Sequence, residues 1–206
     1  LQVDKLSDEA IGALLSTLLA QDASFARISI LLGAFLQTRV SSLEKAASRS
    51  LLSALNSAAQ VQPRALLEAV LIPVISQSTF SSSQVELILR IMKGLDHSLQ
   101  DTYAESLIFA PRTWNLHHLD LLAKLLPTRS PWPLHVIVKI IDQVHIHVHD
   151  PYEGTKANDK IVALIWTIVH KYPAKDLAPC KETLTSIVNR FSTTLSEKAL
   201  AKIQTF

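Results

Sequence analysis

Pro63-Arg64-Ala65-Leu66-Leu67-Glu68-Ala69-Val70-Leu71-Ile72-Pro73-Val74 is the stretch on which the fold turns. Its first proline stands at the first helical position, where a backbone N–H would have no intrahelical partner anyway. From there Leu66, Leu67, Val70, Leu71 and Val74 recur at the spacing that gathers apolar side chains onto one helical face. Pro73 falls inside that pattern. It has no N–H for the carbonyl four residues back, which predicts a kink or a break near it.

Outward from this segment the same grammar repeats. Downstream, Ser83 and Glu86 stand at capping-box spacing, Val85, Ile88, Leu89 and Met92 point inward, and Gly94 takes C′. Upstream, Ser41 and Glu44 form a second such pair ahead of Leu51, Leu52 and Leu55. A helix from about Ser24 carries Ile28, Leu31, Leu32, Phe35 and Leu36. Ser7 starts the first on a stripe of Leu14, Leu15, Leu18 and Leu19, with Asp8 and Glu9 in the turn where the macrodipole favours acids. Toward the other end, Ser98 caps a sixth helix with Pro111 just beyond it, and Asn115 caps a seventh that Pro127 closes. Pro133 opens an eighth on Val136, Ile140, Ile141 and Val144. A ninth runs from about Asn158 to Lys171, stopped by Pro173; a tenth starts near Pro179; Thr194 and Glu197 cap the last.

Composition agrees. Only 4 of 206 residues are glycine, against a usual share of about 7%. Folds built on tight turns, phosphate loops or many strands need more, because glycine alone takes positive φ without steric cost. Hydrophobic residues make up 48% and charged ones 18%, which argues against disorder. A formal charge of +2 supplies no global basic field, so no direct nucleic acid is expected. No apolar run reaches the roughly 18 uninterrupted residues of a membrane span, and Leu1 to Lys5 lack a signal peptide's basic start. The chain opens at Leu1 without an initiator Met, which predicts a domain cut from something longer. Its one cysteine, Cys180, rules out an internal disulfide framework and fits a reducing compartment.

About eleven amphipathic helices joined by short Ser/Pro/Asn turns predict stacked antiparallel pairs, one pair per roughly 35–45 residues. The expected fold is all-α: a right-handed α-solenoid of degenerate HEAT/ARM-like antiparallel helical repeats, forming one helical-repeat domain over 1–206. A globular helical bundle is the alternative.

No P-loop, GxGxxG, HExxH, GxSxG or CxxC pattern occurs, so no enzyme and no cofactor is expected. His145, His147 and His149, followed by Asp150, are the best metal candidates. Extended, the three imidazoles would share a face; helical, His145 and His149 would pair at i,i+4. The plain reading is a polar helix end leading into the loop from Asp150 to Asp159, and no metal is expected. His117 and His118 read as first-turn surface residues, and His170 suits the last turn of its helix. No local signature supports Cys180 as a nucleophile. Trp166 reads as core and Trp132 as packed under a turn. Trp114 is either a hydrophobic staple or an exposed anchor.

Five stretches of sequence carry a family resemblance. Ala69-Val70-Leu71-Ile72-Pro73-Val74-Ile75, followed by Ser83-Gln84-Val85-Glu86-Leu87-Ile88-Leu89-Arg90-Ile91-Met92-Lys93, resembles the middle of the C-terminal domain of the Fanconi anaemia group E protein. Leu31-Leu32-Gly33-Ala34-Phe35-Leu36 is similar to that family's Leu-Gly-x-x-Leu helix, and Ile168-Val169-His170-Lys171-Tyr172 to its Thr-Lys-Tyr helix end. Ser192-Thr193-Thr194-Leu195 falls where the family has Asn-Thr-Thr. The likeness is collinear from about Ser24 to Ile203, and the loop from Asp150 to Asp159 has no counterpart in it.

The resemblance implies a non-catalytic adaptor of the nuclear Fanconi anaemia core complex, a ubiquitin ligase of DNA interstrand crosslink repair. Its implied partners are the group C and group F proteins and the group D substrate that the complex monoubiquitinates. Substrate contact in the family centres on the Thr-Thr-Phe-Leu start of the last helix. Those hydrophobic positions fall on Leu195 and Ser196, of which only the first stays apolar; with Lys198 they make the expected substrate-protein site. Arg39 and Arg49, in the early helices, are assigned to the group C contact. The alternative is a HEAT-like interaction scaffold of another complex, such as one of transport or RNA processing.

Overall fold

The computed structural model describes residues 6–20, 24–109, 114–128, 132–149 and 155–206, leaving aside the side chains at 103–104, 107–108, 128, 147–149 and 155–157. Among the described residues it is all-helical, with eleven helices and no strand. None of these helices is long and apolar enough to cross a membrane. The chain divides into two compact units, Leu1–Thr113 and Trp114–Phe206.

The first unit holds α1 (Asp8–Leu19), α2 (25–41), α3 (Arg49–Val61), α4 (63–75), α5 (Ser82–Met92) and α6 (His97–Phe109). Odd helices pack on odd ones, α1 on α3 and α3 on α5; even helices pack on even ones, α2 on α4 and α4 on α6. The pairs α1–α2 and α3–α4 join the two layers. Ile11, Leu15, Leu32, Leu36, Leu55, Leu66, Val70 and Ile88 fill the space between, all essentially without exposure. Leu14 lies off this core, at 39% exposure, and Ile11 takes the inward place.

The second unit holds α7 (Leu116–Leu125, then a 3-10 turn Leu126–Thr128), α8 (Leu134–His149), α9 (Thr155–Lys171), α10 (174–188) and α11 (Thr194–Gln204). It repeats the rule: α7 packs on α9 and α9 on α11, while α8 packs on α10. Its core is Leu119, Leu122, Ile137, Ile140, Ile141, Ile165, Ile168, Leu184 and Ile203.

Pro73 ends nothing. α4 runs as Pro63–Leu66, a π turn over Leu67–Leu71, then Ile72–Ile75. The Ile72 N–H reaches back five residues to the Leu67 carbonyl. That extra residue in the turn carries the chain past a proline that cannot donate in α register. A second π turn, Gly33–Gln37 within α2, lies directly against it. A Cβ at Gly33 would sit 3.6 Å from the Ala69 carbonyl oxygen, so the backbones approach closely here.

Several caps differ from expectation. Ser41 closes α2 instead of opening α3, which Ser48 caps by accepting the Leu51 N–H at 3.0 Å. The α5 box is Ser81–Gln84, not Ser83–Glu86; Ser83 lies inside the helix and its hydroxyl donates to the Glu44 carbonyl at 3.0 Å. Asp96 rather than Ser98 caps α6, accepting the Leu99 N–H at 2.8 Å. The last box is Thr193–Ser196, one residue before Thr194–Glu197. α9 starts at Thr155, three residues before Asn158. α10 starts at Ala174, and Pro179 sits in its 3-10 turn Ala178–Cys180. His145 to His149 continue α8, so the extended reading of the histidines fails; the side chains of His147 and His149 lie outside the described residues, as does Asp150.

Candidate protein-binding surfaces

At the start of α11, Thr193 Oγ1 accepts the Ser196 N–H at 3.1 Å, and Ser196 Oγ accepts the Thr193 N–H at 2.9 Å. The same hydroxyl lies 2.7 Å from the Phe191 and Thr193 carbonyls. Ser196 is therefore turned inward, at 2% exposure, and its polar capacity is used within the chain. Leu195 beside it is half-buried and Lys198 is exposed. Of the three residues assigned to a substrate protein, these two reach the surface and Ser196 holds the turn that presents them.

Arg39 has a structural engagement of its own. Its Nη1 is 2.8 Å from Asp8 Oδ1 and its Nη2 donates to the Leu6 carbonyl. The other Asp8 oxygen accepts from Ser48 Oγ at 2.5 Å, so one carboxylate ties α1 to the end of α2 and the start of α3. Arg49 is exposed and borders a shallow groove between α1 and α3 lined by Glu9, Gly12, Ser16, Ser50 and Ser53. Arg39 and Arg49 border different grooves, Arg39 one that includes Ser42 and Ser48, and Arg49 the one between α1 and α3.

Sequence reading missed the most exposed large apolar side chain among the described residues. Ile30 on α2 is 72% exposed, because the buried stripe of that helix follows Ile28, Leu32, Phe35 and Leu36. Phe25 and Val61 are also exposed, and the Arg64 guanidinium lies over the Phe25 ring at 5.8 Å. A helical wheel drawn on those four positions would have placed Ile30 outward. Trp166, expected in the core, is half-buried and faces His170, with ring centroids 3.7 Å apart. It lies on the flank of α9, whose inner face is made by Ile161, Leu164, Ile165 and Ile168.

The polar chemistry is modest. Asp120 bridges Lys124 at 3.0 Å on its own helix and Lys160 at 3.2 Å on α9. Burial pushes its carboxyl up, but the bonds from the two lysines outweigh that and hold it below the usual range. Burial pulls the His117 imidazole below its ordinary value, and Lys160 adds to this. His118 is buried rather than on the surface, with 0% exposure. Burial raises the Cys180 thiol, with the Asp142 charge adding, so it is not activated as a nucleophile. Among the described residues no three His, Cys, Asp or Glu side chains are grouped to hold a metal ion.

Trp114 is buried at the residue before the Asn115 cap, with Leu119 equally buried four positions into α7, the arrangement of a hydrophobic staple. Trp132 is also buried, and its backbone N–H donates to Tyr172 Oη at 2.6 Å. Compared with known proteins, the chain matches no family model and no curated sequence.

Proposed function

We propose that the chain is a right-handed α-solenoid of degenerate HEAT/ARM-like repeats that works as a protein-binding adaptor without catalysis. One observation carries this reading. Side-chain bonds between helices recur about one helix pair apart. Asp8 meets Ser48 at a separation of 40 residues, Glu9 meets Ser50 at 41, and Gln77 meets Ser41 at 36. Ser81 meets Leu43 at 38 and Gln84 meets Val40 at 44. In the second unit Trp132 meets Tyr172 at 40 and Lys171 meets Leu126 at 45. A shared offset in both units, with odd helices on odd and even on even, is how stacked helical pairs bury a continuous core. Such arrays leave long helical faces to solvent, on which partners bind.

The identity of the partners rests on the resemblance to the Fanconi anaemia group E family. On that reading the chain acts in the nucleus, within the core complex. It joins the group C and group F proteins and presents the group D substrate for monoubiquitination in interstrand crosslink repair. Leu195 and Lys198 serve the substrate protein and Arg49 the group C protein; Arg39 contributes through the fold. The test is co-purification of the tagged chain with the group C and group F proteins, repeated with Lys198→Glu and Arg49→Glu. Loss of the substrate protein with the first and of group C with the second is expected. Co-purification with neither protein would overturn the reading, and undiminished assembly of both variants would remove those two sites.

A further inference from the structure

Trp166 and His170 stand one turn apart on α9, with ring centroids 3.7 Å apart. The tryptophan is half-buried and the histidine exposed, whereas Trp114 and Trp132 are each only 3% exposed. What the pair faces follows from the packing of the odd helices in the second unit.

Lys160, near the start of α9, reaches Asp120 on α7 at 3.2 Å, and Lys171, at its end, donates to the Leu126 carbonyl at the end of α7. The two helices therefore run the same way, and the flank of α9 that carries these lysines is turned to α7. Each lysine stands one residue before a buried position, Ile161 and Tyr172. Trp166 stands one residue after the buried Ile165, on the opposite flank, which is turned to α11. α11 packs on α9 as α9 packs on α7. Its residues one before a buried position include Leu195, Lys198 and Lys202, ahead of Ser196, Ala199 and Ile203. The same rule turns these three toward α9, so Trp166 and His170 border one seam with them.

That seam combines an aromatic pair, a half-buried leucine and two exposed ammonium groups. Neither Lys198 nor Lys202 has a partner among the described residues. They stand at i,i+4, where like charges repel, and an anion laid between them removes that cost. Trp166 offers the kind of large apolar contact that anchors protein interfaces. Two cations and an apolar anchor suit a protein segment in which acidic side chains flank an apolar one. A nucleic-acid backbone suits them less well, because Asp159 lies on the same line of α9 as Trp166 and Glu197 adjoins Lys198.

We propose that the seam between α9 and α11 is a docking site for an acidic segment of a partner protein. Trp166 takes an apolar side chain of that segment, and Lys198 and Lys202 take its carboxylates. The inference deepens the adaptor reading and rests on it at Leu195 and Lys198.

Acrylamide quenching of tryptophan fluorescence in the full chain reads the site, because Trp166 is half-buried and the other two tryptophans are buried. Two synthetic helical peptides serve as probes, one built of Leu, Ala and Glu, the other with every Glu replaced by Gln. The acidic peptide is expected to shield Trp166 at about tenfold lower concentration than the neutral one, the scale of two exposed ion pairs. The double variant Lys198→Glu, Lys202→Glu should lose that preference while keeping its melting temperature, and Trp166→Phe should lose the shielding signal. Equal shielding by the two peptides, shielding that survives the double reversal, or no shielding at all would overturn the proposal. So would a single-stranded oligonucleotide that shields Trp166 at lower concentration than the acidic peptide. No Fanconi protein enters this assay. Failure here with intact co-purification strikes only the docking site, and binding here without co-purification strikes only the identity of the partners.

Discussion

Replacing Gln84 with leucine removes a side chain that is fully buried and makes three bonds. Its Nε2 donates to the Val40 carbonyl at 2.8 Å and the Ser41 carbonyl at 2.7 Å, and its Oε1 accepts the Ser81 N–H at 2.7 Å. These bonds close the carbonyl end of α2 and the amide end of α5 together. Leucine is close in size, so no large cavity forms; what remains is backbone without its partner. Leaving a buried polar group unsatisfied costs about 1–3 kcal/mol. The bond to Val40 is fully buried and takes the upper part of that range, while Ser41 and Ser81 are half-buried and recover part of theirs from water. The sum is about 4 kcal/mol, less about 1 kcal/mol for the more favourable burial of leucine, leaving a loss of about 3 kcal/mol. Urea unfolding followed by far-UV circular dichroism measures it. All three tryptophans lie in the second unit, so their fluorescence reads that unit and provides an internal comparison. A loss below about 1 kcal/mol, within the range of an ordinary surface substitution, would refute the reasoning.

Further outcomes follow from the same geometry. Gly33→Ala places its Cβ 3.6 Å from the Ala69 oxygen, an ordinary contact, and should stabilise the chain by about 0.5–1 kcal/mol through helix propensity; a leucine there should separate α2 from α4 and lower the melting temperature. Ser196→Ala should cost about 1–2 kcal/mol as a lost cap, whereas Lys198→Glu should leave the melting temperature unchanged, since Lys198 is exposed. The His117 value is lowered in the folded chain, so the unfolded chain binds more protons on acidification. Its contribution to stability is therefore present above about pH 6.5 and declines below it, and His117→Asn should reduce that decline in a pH series of urea midpoints. Cys180 is buried with a raised thiol value and should react with a thiol reagent in native buffer far more slowly than in denaturant.

Helix existence was legible in the sequence because apolar spacing and Pro/Ser punctuation are local. Helix starts were less so. Ser41 and Ser83 have the right chemistry to cap, but their groups are bonded to residues about one helix pair away, Gln84 to the Ser41 carbonyl and Ser83 to the Glu44 carbonyl. Local spacing carries no information about bonds of that range. Pro73 was legible in part: the pattern marks an irregularity near it, and α register is interrupted there, but nothing in the residues says that the interruption takes the form of a π turn. The surface was legible only in part. Lys198 is exposed as its position on the polar face requires. Ser196 looked equally available, since its burial follows from the cap starting at Thr193 rather than Thr194. His118 followed the same course, its imidazole drawn inside by the Asn115 cap that the sequence did reveal.

Crosslinking mass spectrometry of the tagged full chain in native nuclear extract tests the adaptor assignment most directly. The account predicts crosslinks from Lys198 and its neighbours on α11 to the group D substrate, together with crosslinks from the first unit to the group C protein. Crosslinks confined to the subunits of a different complex, with neither of these proteins among them, would contradict it.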